Sequence, residues 1–453
     1  MNDRILALRD DAANIFQAGI KAADPFQAVC RCLAADEDHL EIGLDPANPE
    51  RKRQGRWNKI HVIAFGKAAC AMANATREII PVHLLAEPGI VVTNYENAVP
   101  AADMRVMAAG HPLPDPAGLE AAAAVAERVA QAQENELVLV LVSGGGSALL
   151  PYPVEGVNLA DKIATTDLLL ASGASINQIN CVRKHLSRLK GGGLAKLAAP
   201  ADLHALILSD VLGDDLSAIA SGPTVADDTR FNDAVAVLRS KNIWDKIPSS
   251  VREHLEKGCR GEVEETPKSG DPIFKTSGHT LIGSNRISVD AAMRMAQQLN
   301  YDAMLYNDHL SGEAREVAEQ LVLHAKDLQQ RGLRQATALL AGGETTVTLK
   351  GSGRGGRNQE MALAFALAAE KHRLPGRWVF LSGGTDGRDG PTDAAGGLVD
   401  PGTVGRIAEP AALLENNDSY RALTQSQDLL DTGATGTNVA DLQVLLIQPL
   451  SSS

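Results

Sequence analysis

The chain has 453 residues, enough for two or three domains at ~150 residues each. Apolar residues make up 44% and charged residues 22%, which excludes a disordered chain; with aromatics at 3%, the core must be built from Ala, Val, Leu and Ile. A formal net charge of −13 excludes partners that need a broad basic face, such as nucleic acid or an anionic membrane surface.

The five cysteines are an odd and scattered set, which predicts no disulfide framework, and Cys30-x-Cys32 lacks companions for a metal site. The longest apolar run, Leu137 to Val142, is far shorter than the ~20 residues that span a bilayer. No basic segment followed by an apolar run opens the chain, so a cytoplasmic location is expected.

Apolar spacing predicts a first helix from Arg4 to Ala22. Lys59–Phe65 reads as a buried strand ending in Gly66-Lys67, where a helix opens. Gly89–Thr93 is the next strand, and Pro116–Gln133 is an Ala-rich helix. Leu137–Val142 is a fully buried strand ending in the loop Ser143-Gly144-Gly145-Gly146-Ser147. Leu203–Leu208 is another, ending in Ser209-Asp210. Lys257–Lys275 has two prolines, three glycines and many charges but no apolar period, and reads as a linker or a long surface loop. Beyond it come a helix at Arg286–Leu299 and strands at Ala303–Tyr306, Ala336–Ala341, Glu344–Lys350, Arg377–Leu381 and Leu442–Ile447. Strand–loop–helix alternation predicts α/β architecture with a mostly parallel first sheet. Two α/β domains are expected, 1–260 and 261–453, with a cleft between them.

Ligands of parallel α/β sheets bind at the carboxyl ends of strands, so the loops there are the candidates. Successive glycines in Ser143–Ser147 let backbone amides approach a phosphate, with a helix N-terminus behind them. Lys67 at a buried strand end is costly unless something anionic meets it. Arg183, Lys184, His185, Arg188 and Lys190 run into Gly191-Gly192-Gly193. This segment suits either a phosphorylated ligand or a solvated basic face with an ordinary glycine cap. Gly351–Gly356 satisfies G-x-G-x-x-G, but the next strand ends in Ser382-Gly383 rather than in the ribose-binding acid of a dinucleotide fold. Its arginines, Arg354 and Arg357, suit an anion clamp instead. Asp386 and Asp210 lie in acidic loops able to hold Mg²⁺ or accept a hydroxyl proton, or to make ordinary Asx turns. No G-x-S-x-G or H-E-x-x-H motif occurs. His111 and His309 read as structural or substrate-orienting residues rather than metal ligands.

These residues also carry a resemblance. AFGKAA around Lys67, GHPLPD, LVSGGGSALL, SGASINQINCVRKHLSRLKGGGLA, LSDVLGDDLSAIASGPT, GGETTVTLKGSGRGGRNQE and GGTDGRDGPTDAAG span nearly the whole chain. The combination resembles the glycerate 2-kinase family, whose C-terminal region is called the MOFRL domain. The resemblance implies a Rossmann-like first domain and a MOFRL-type α/β second domain, with the active site in the cleft between them. It implies ATP-dependent phosphorylation of D-glycerate to 2-phosphoglycerate with Mg²⁺, and it places the residues usually proposed for catalysis on Lys67 and Arg357.

Lys67, Arg357 and Asp386 are expected to be catalytic. Ser143, Gly144, Gly145, Gly146, Ser147, Lys190, Gly191 and Gly192 hold nucleotide phosphates. Arg183, His185, Arg354 and Thr385 bind substrate, and Asp210 and Asp386 are the metal candidates. The expected partners are D-glycerate and nucleotide, and a homodimer is compatible with the sequence. The alternatives are an NAD(P)H-dependent hydroxypyruvate reductase, a name some family members carry, and a non-catalytic sugar-phosphate-binding regulator.

Overall fold

The structure, a computed structural model, describes residues 3–450. It resolves into two units, one of Pro25–Ile282 and one of Met1–Asp24 with Gly283–Ser453.

The Pro25–Ile282 unit is built on six strands: β1 (Ile60–Phe65), β2 (Gly89–Asn94), β3 (Met104–Ala109), β4 (Leu137–Val142), β5 (Asp202–Leu208) and β6 (Ser277–Gly283). Their order is β3-β2-β1-β4-β5-β6, and β1 to β5 pair in parallel. This is the Rossmann order, with its topological switch point where β1 meets β4. The runs IHVIAF and LVLVLV are buried along their whole length because helices cover both faces of the sheet. One face packs against helices Pro25–Cys32 and Ala69–Ile79, the other against Pro116–Ala130 and Gly193–Ala198. The Rossmann-like three-layer expectation therefore holds. Four further helices (Leu159–Ala171, Ile176–His185, Phe231–Ser240 and Ser249–Cys259) share a separate apolar cluster that includes Leu169, Val182, Phe231 and Leu255.

The other unit carries β7 (Asp302–Leu310), β8 (Thr337–Gly343), β9 (Trp378–Gly384), β10 (Gly396–Val399), β11 (Leu429–Leu430) and β12 (Asp441–Ile447), in the order β7-β8-β12-β9-β10-β11. Only β7 and β8 pair in parallel; the other neighbours are antiparallel.

Three expectations change. First, the units divide at 282/283 rather than at 260/261, because β6 completes the first sheet. Of the two readings of the 257–275 segment the surface loop stands: between the helix that ends at Cys259 and a short turn of helix at Pro272–Lys275 it lies on that unit, with Thr266 Oγ1 donating to Asp227 at 2.9 Å. Second, the first helix, Asp3–Ala22, belongs to the other unit. Its buried stripe of Leu8, Ala12, Ile15 and Phe16 packs with Val289, Leu381 and Val444. Arg9 adds ion pairs to the buried Asp400 (2.6 Å) and Asp428 (2.9 Å). Third, Glu344–Lys350 is not a strand. β8 is already paired on both sides, so the segment leaves the sheet and hooks onto Gly312 through Thr346 N–H at 2.8 Å, leaving Leu349 79% exposed. Among the described residues no helix is long and apolar enough to cross a membrane.

Candidate active site

The register of β1 against β4 pairs Phe65 with Val142, so the residues that follow the two strands emerge side by side. Ser143 N–H donates to Phe65 O at 3.0 Å and Lys67 N–H donates to Gly144 O at 2.9 Å. Ser143 Oγ accepts from Ala68 N–H at 3.0 Å, at the start of helix Ala69–Ile79. Gly66 has φ of +121°, and a Cβ there would collide with Ser143, so this position requires glycine. The two loops predicted as separate candidates are thus stitched together at the switch point.

Other groups converge on them. A Cβ at Gly145 would touch His111 and the Lys67 side chain, and one at Gly144 would collide with the Asp210 carboxylate. Burial, aided by the Lys67 charge, holds the half-buried His111 imidazole below its usual basicity. Sequence reasoning gave His111 only a structural or orienting role; the signal was its place in a loop that must follow a parallel strand. The amides of Gly144 and Gly145 donate to no backbone carbonyl among the described residues. They remain open to an anion, as the glycine spacing implied.

Gly191 and Gly192 do not. Their amides donate to Ser221 O (3.0 Å) and Gly222 O (2.8 Å), which leaves none for phosphate. Lys190 is 3% exposed, and its ammonium donates to Ser147 O and Ser147 Oγ, both at 2.8 Å, so it braces the glycine loop. Arg183 reaches the same carbonyl at 3.5 Å and lines a cavity of about 400 Å³ with Gly145, Ser147, Asn180 and Asp210. His185 points elsewhere. Its Nδ1 donates to Cys181 O at 2.8 Å, its Nε2 lies 3.3 Å from Glu265, and its ring edge packs on Phe231. It holds helices together and does not reach the loop. Lys184 is likewise committed, to the buried Asp227.

In the other unit, Arg357 opens helix Arg357–Lys371. A cation at a helix N-terminus is poorly placed unless an anion answers it. The anion here is the fully buried Asp441, which accepts from Arg357 Nε (2.6 Å) and Nη2 (2.9 Å), while Nη1 meets Glu344 at 2.8 Å. The planar fork predicted to clamp a ligand is closed on the protein itself. The helix amides of Asn358 and Gln359 donate to Asp389. Burial pushes that carboxyl up to about 7 against the pull of these two amides.

Thr385 is fully buried. Its hydroxyl donates to Ala440 O at 2.6 Å and accepts from Val439 N–H, so it latches two loops and is not available to a substrate. Asp386 is half-buried and accepts from Arg388 N–H at 2.9 Å, an Asx turn, beside the Gly384 backbone that Asp441 also approaches. Arg354 lies 4.5 Å over the Tyr420 ring and donates to Pro391 O. The Gly351–Gly356 loop is spent as a dinucleotide cradle. Gly351, Ser352, Gly353 and Arg354 amides donate to Asn416, Asn417 and Asp418, and Cβ atoms at Gly351 and Gly353 would collide with that neighbouring loop. Its glycines serve close backbone packing.

Strand order and loops define a Rossmann-like α/β unit accompanied by a mixed-sheet unit. Residues 11–256 match the family described as domain of unknown function (DUF4147), and residues 337–441 match the MOFRL family. A protein named glycerate 2-kinase from Pyrococcus horikoshii is 42% identical over 447 residues, 97% of each chain. One named putative hydroxypyruvate reductase from Agrobacterium vitis is 40% identical over 98% of this chain and 95% of its own. The crystal structure of glycerate kinase from Thermotoga maritima matches with a TM-score of 0.85 and 39% identity, covering 97% of this chain and 99% of that one. The chain belongs to the glycerate 2-kinase family.

Proposed function

We propose that this protein transfers the γ-phosphoryl group of ATP to the 2-hydroxyl of D-glycerate. The observation that carries this reading is the 42% identity, over 97% of both chains, to a protein named glycerate 2-kinase. Phosphoryl transfer asks for positioning and charge neutralisation rather than covalent catalysis, and the loops at the switch point suit that demand. The open amides of Gly144 and Gly145 would receive phosphate oxygens. The Lys67 ammonium pairs with no carboxylate among the described residues and would neutralise the transferring group. Arg357, held by Asp441 in the other unit, is the second residue proposed to act in the reaction.

Among the described residues no group of three or more His, Cys, Asp and Glu is placed to hold a metal. Mg²⁺ keeps several waters and binds through one or two carboxylates plus substrate phosphates. The Asp210 carboxylate against Gly144 fits that demand, so the ion would enter with ATP as part of the substrate. Asp210 and Asp386, each in its own unit, are alternative candidates for that ion or for the acceptor hydroxyl.

The reductase reading rests on the name of the Agrobacterium relative and on G-x-G-x-x-G, whose amides are already spent on Asn416–Asp418. Coupled assays separate the two readings. With MgATP, D-glycerate should yield 2-phosphoglycerate and ADP in equal amounts. NADH oxidation by hydroxypyruvate in proportion to enzyme, with no ADP formed from glycerate, would overturn the kinase reading.

A further inference from the structure

Asn180 has no place in the assignments above. It lies on helix Ile176–His185, is 5% exposed, and lines the cavity of about 400 Å³ that Arg183, Gly145, Gly146 and Ser147 also line, all within the Pro25–Ile282 unit.

A chain of hydrogen bonds decides which end of its amide faces that cavity. The buried Lys190 donates to Ser147 Oγ at 2.8 Å, Ser147 Oγ lies 2.9 Å from Ser221 Oγ, and Ser221 Oγ donates to Asn180 Oδ1 at 3.0 Å. Ser221 spends its only proton on Asn180, so Ser147 must be the donor to Ser221. The chain therefore runs one way, from the ammonium to the amide oxygen. It is the only hydrogen bond of the Asn180 side chain among the described residues, which leaves both amide N–H groups without a protein acceptor.

Arg183 follows one turn along the same helix face. Of its five N–H donors, one has a recorded acceptor, Ser147 O at a long 3.5 Å, and no carboxylate of the described residues pairs with it. Water can take the hydrogens of an amide, but it leaves a half-buried guanidinium charge uncompensated. Two neighbouring donor groups, one of them charged, ask for a planar anion with two acceptor oxygens. Asp210 and Asp215 also line the cavity, which weighs against a ligand with several negative charges and for one with a single charge. The glycine loop in the same wall puts such an acid beside the amides assigned above to phosphate.

We propose that Asn180 and Arg183 form the fork that binds the carboxylate of a small 2-hydroxy or 2-keto acid, with the Lys190–Ser147–Ser221 chain holding the Asn180 amide in its donor orientation. That the acid is D-glycerate rests on the function proposed above; the fork does not.

The test uses the full chain with Asn180→Asp. The new side chain keeps the shape, still accepts from Ser221, and turns an acceptor where the amide presented a donor. Thermal unfolding is followed without ligand and with D-glycerate, hydroxypyruvate or ATP alone, alongside steady-state kinetics. D-glycerate should raise the Tm of the wild type and leave that of Asn180→Asp unmoved, while ATP stabilises both equally. The KM for D-glycerate should rise at least tenfold, with the KM for ATP within twofold. The ligand-free variant should unfold no earlier than the wild type, because Arg183 becomes the counter-ion of the new carboxylate. D-glyceramide, which lacks the anion, should be at least tenfold poorer than D-glycerate for the wild type in kcat/KM, and the variant should narrow that gap. A KM for D-glycerate within twofold of wild type overturns the proposal. So does a variant that loses the ATP response and keeps the glycerate response, which would make the fork a phosphate site. Where Asn180→Asp unfolds more than 5 °C early, Arg183→Gln carries the same readouts, and an equal fall in both variants overturns the proposal by making the pair structural. A wild type that forms no phosphoglycerate sinks the kinase reading alone, provided that hydroxypyruvate or D-glycerate stabilises it and not the variant; a wild type stabilised by neither acid overturns the fork.

Discussion

Replacing Arg357 by Lys keeps the charge and removes the planar fork, and the structure says what that costs. Arg357 Nε and Nη2 both donate to Asp441, a carboxylate with no exposed surface, and Nη1 reaches Glu344. A lysine ammonium can face one Asp441 oxygen at best, leaving the other without its donor. A hydrogen bond to a charged group contributes about 1.5–3 kcal/mol, so the variant should lose about that much stability. For a unit of 150–250 residues each kcal/mol moves Tm by ~2–4 °C, which predicts a fall of roughly 4–10 °C. Scanning calorimetry of Arg357→Lys against Arg354→Lys supplies the control. Arg354 is exposed over Tyr420, and its loss should move Tm by less than about 1 °C. Measured well below the transition, kcat/KM of Arg357→Lys should fall at least about tenfold, because a flexible ammonium replaces the fixed planar guanidinium. An unchanged Tm would refute the reasoning from the buried fork. A lowered Tm with wild-type kinetics would make Arg357 a scaffold residue and leave the transferring charge to Lys67.

Lys67→Ala should reduce kcat on the order of 10²–10³-fold with Tm nearly unchanged, since a charge clamp in a water-poor site is lost and little packing goes with it; a fall smaller than about fivefold removes Lys67 from the chemistry. Two glycines separate an open amide loop from a spent one. Gly144→Ala should collide with Asp210 and lower kcat/KM at least tenfold, whereas Gly192→Ala, at φ of +81° and 3.0 Å from Val225 O, should cost about 1–2 kcal/mol in stability without raising the KM for ATP. The reverse pattern would return the phosphates to Gly191-Gly192. Lys162 gives a pH signature: with its folded pKa near 7 against 10.5 unfolded, the unfolded chain binds more protons between those values. Stability of the ligand-free protein should therefore rise with pH across that window, by up to ~1.4 kcal/mol per pH unit from this group. Urea titrations of Lys162→Met should show a shallower rise than wild type, and parallel curves would contradict a buried, unpartnered ammonium.

What the sequence made legible follows the physics of each segment. IHVIAF and LVLVLV announce themselves because a strand covered on both faces has no polar position to confuse its period. β3, written MRVMAA at the sheet edge, and β10, written GGLV, were not anticipated. An edge strand keeps partly exposed positions, and β10 takes glycine because Cβ atoms at Gly396 and Gly397 would meet Ser382 O and Ala362. The glycine loops looked alike as text. They differ in what their amides already hold: Gly144 and Gly145 keep theirs open, Gly191 and Gly192 donate to Ser221 and Gly222, and Gly351 and Gly353 donate to the 416–418 loop. That distinction depends on partners 30 to 66 residues away, which no local spacing encodes. The charges divide in the same manner. Arg357 looked uncompensated because its partner Asp441 lies 84 residues downstream, at the head of β12. Lys162, on helix Leu159–Ala171, is buried and its ammonium has no hydrogen-bond partner among the described residues. A helical period says which face a residue occupies, but not whether a second helix will close over it. Here Ile176–His185 does so, and it brings a guanidinium rather than a carboxylate.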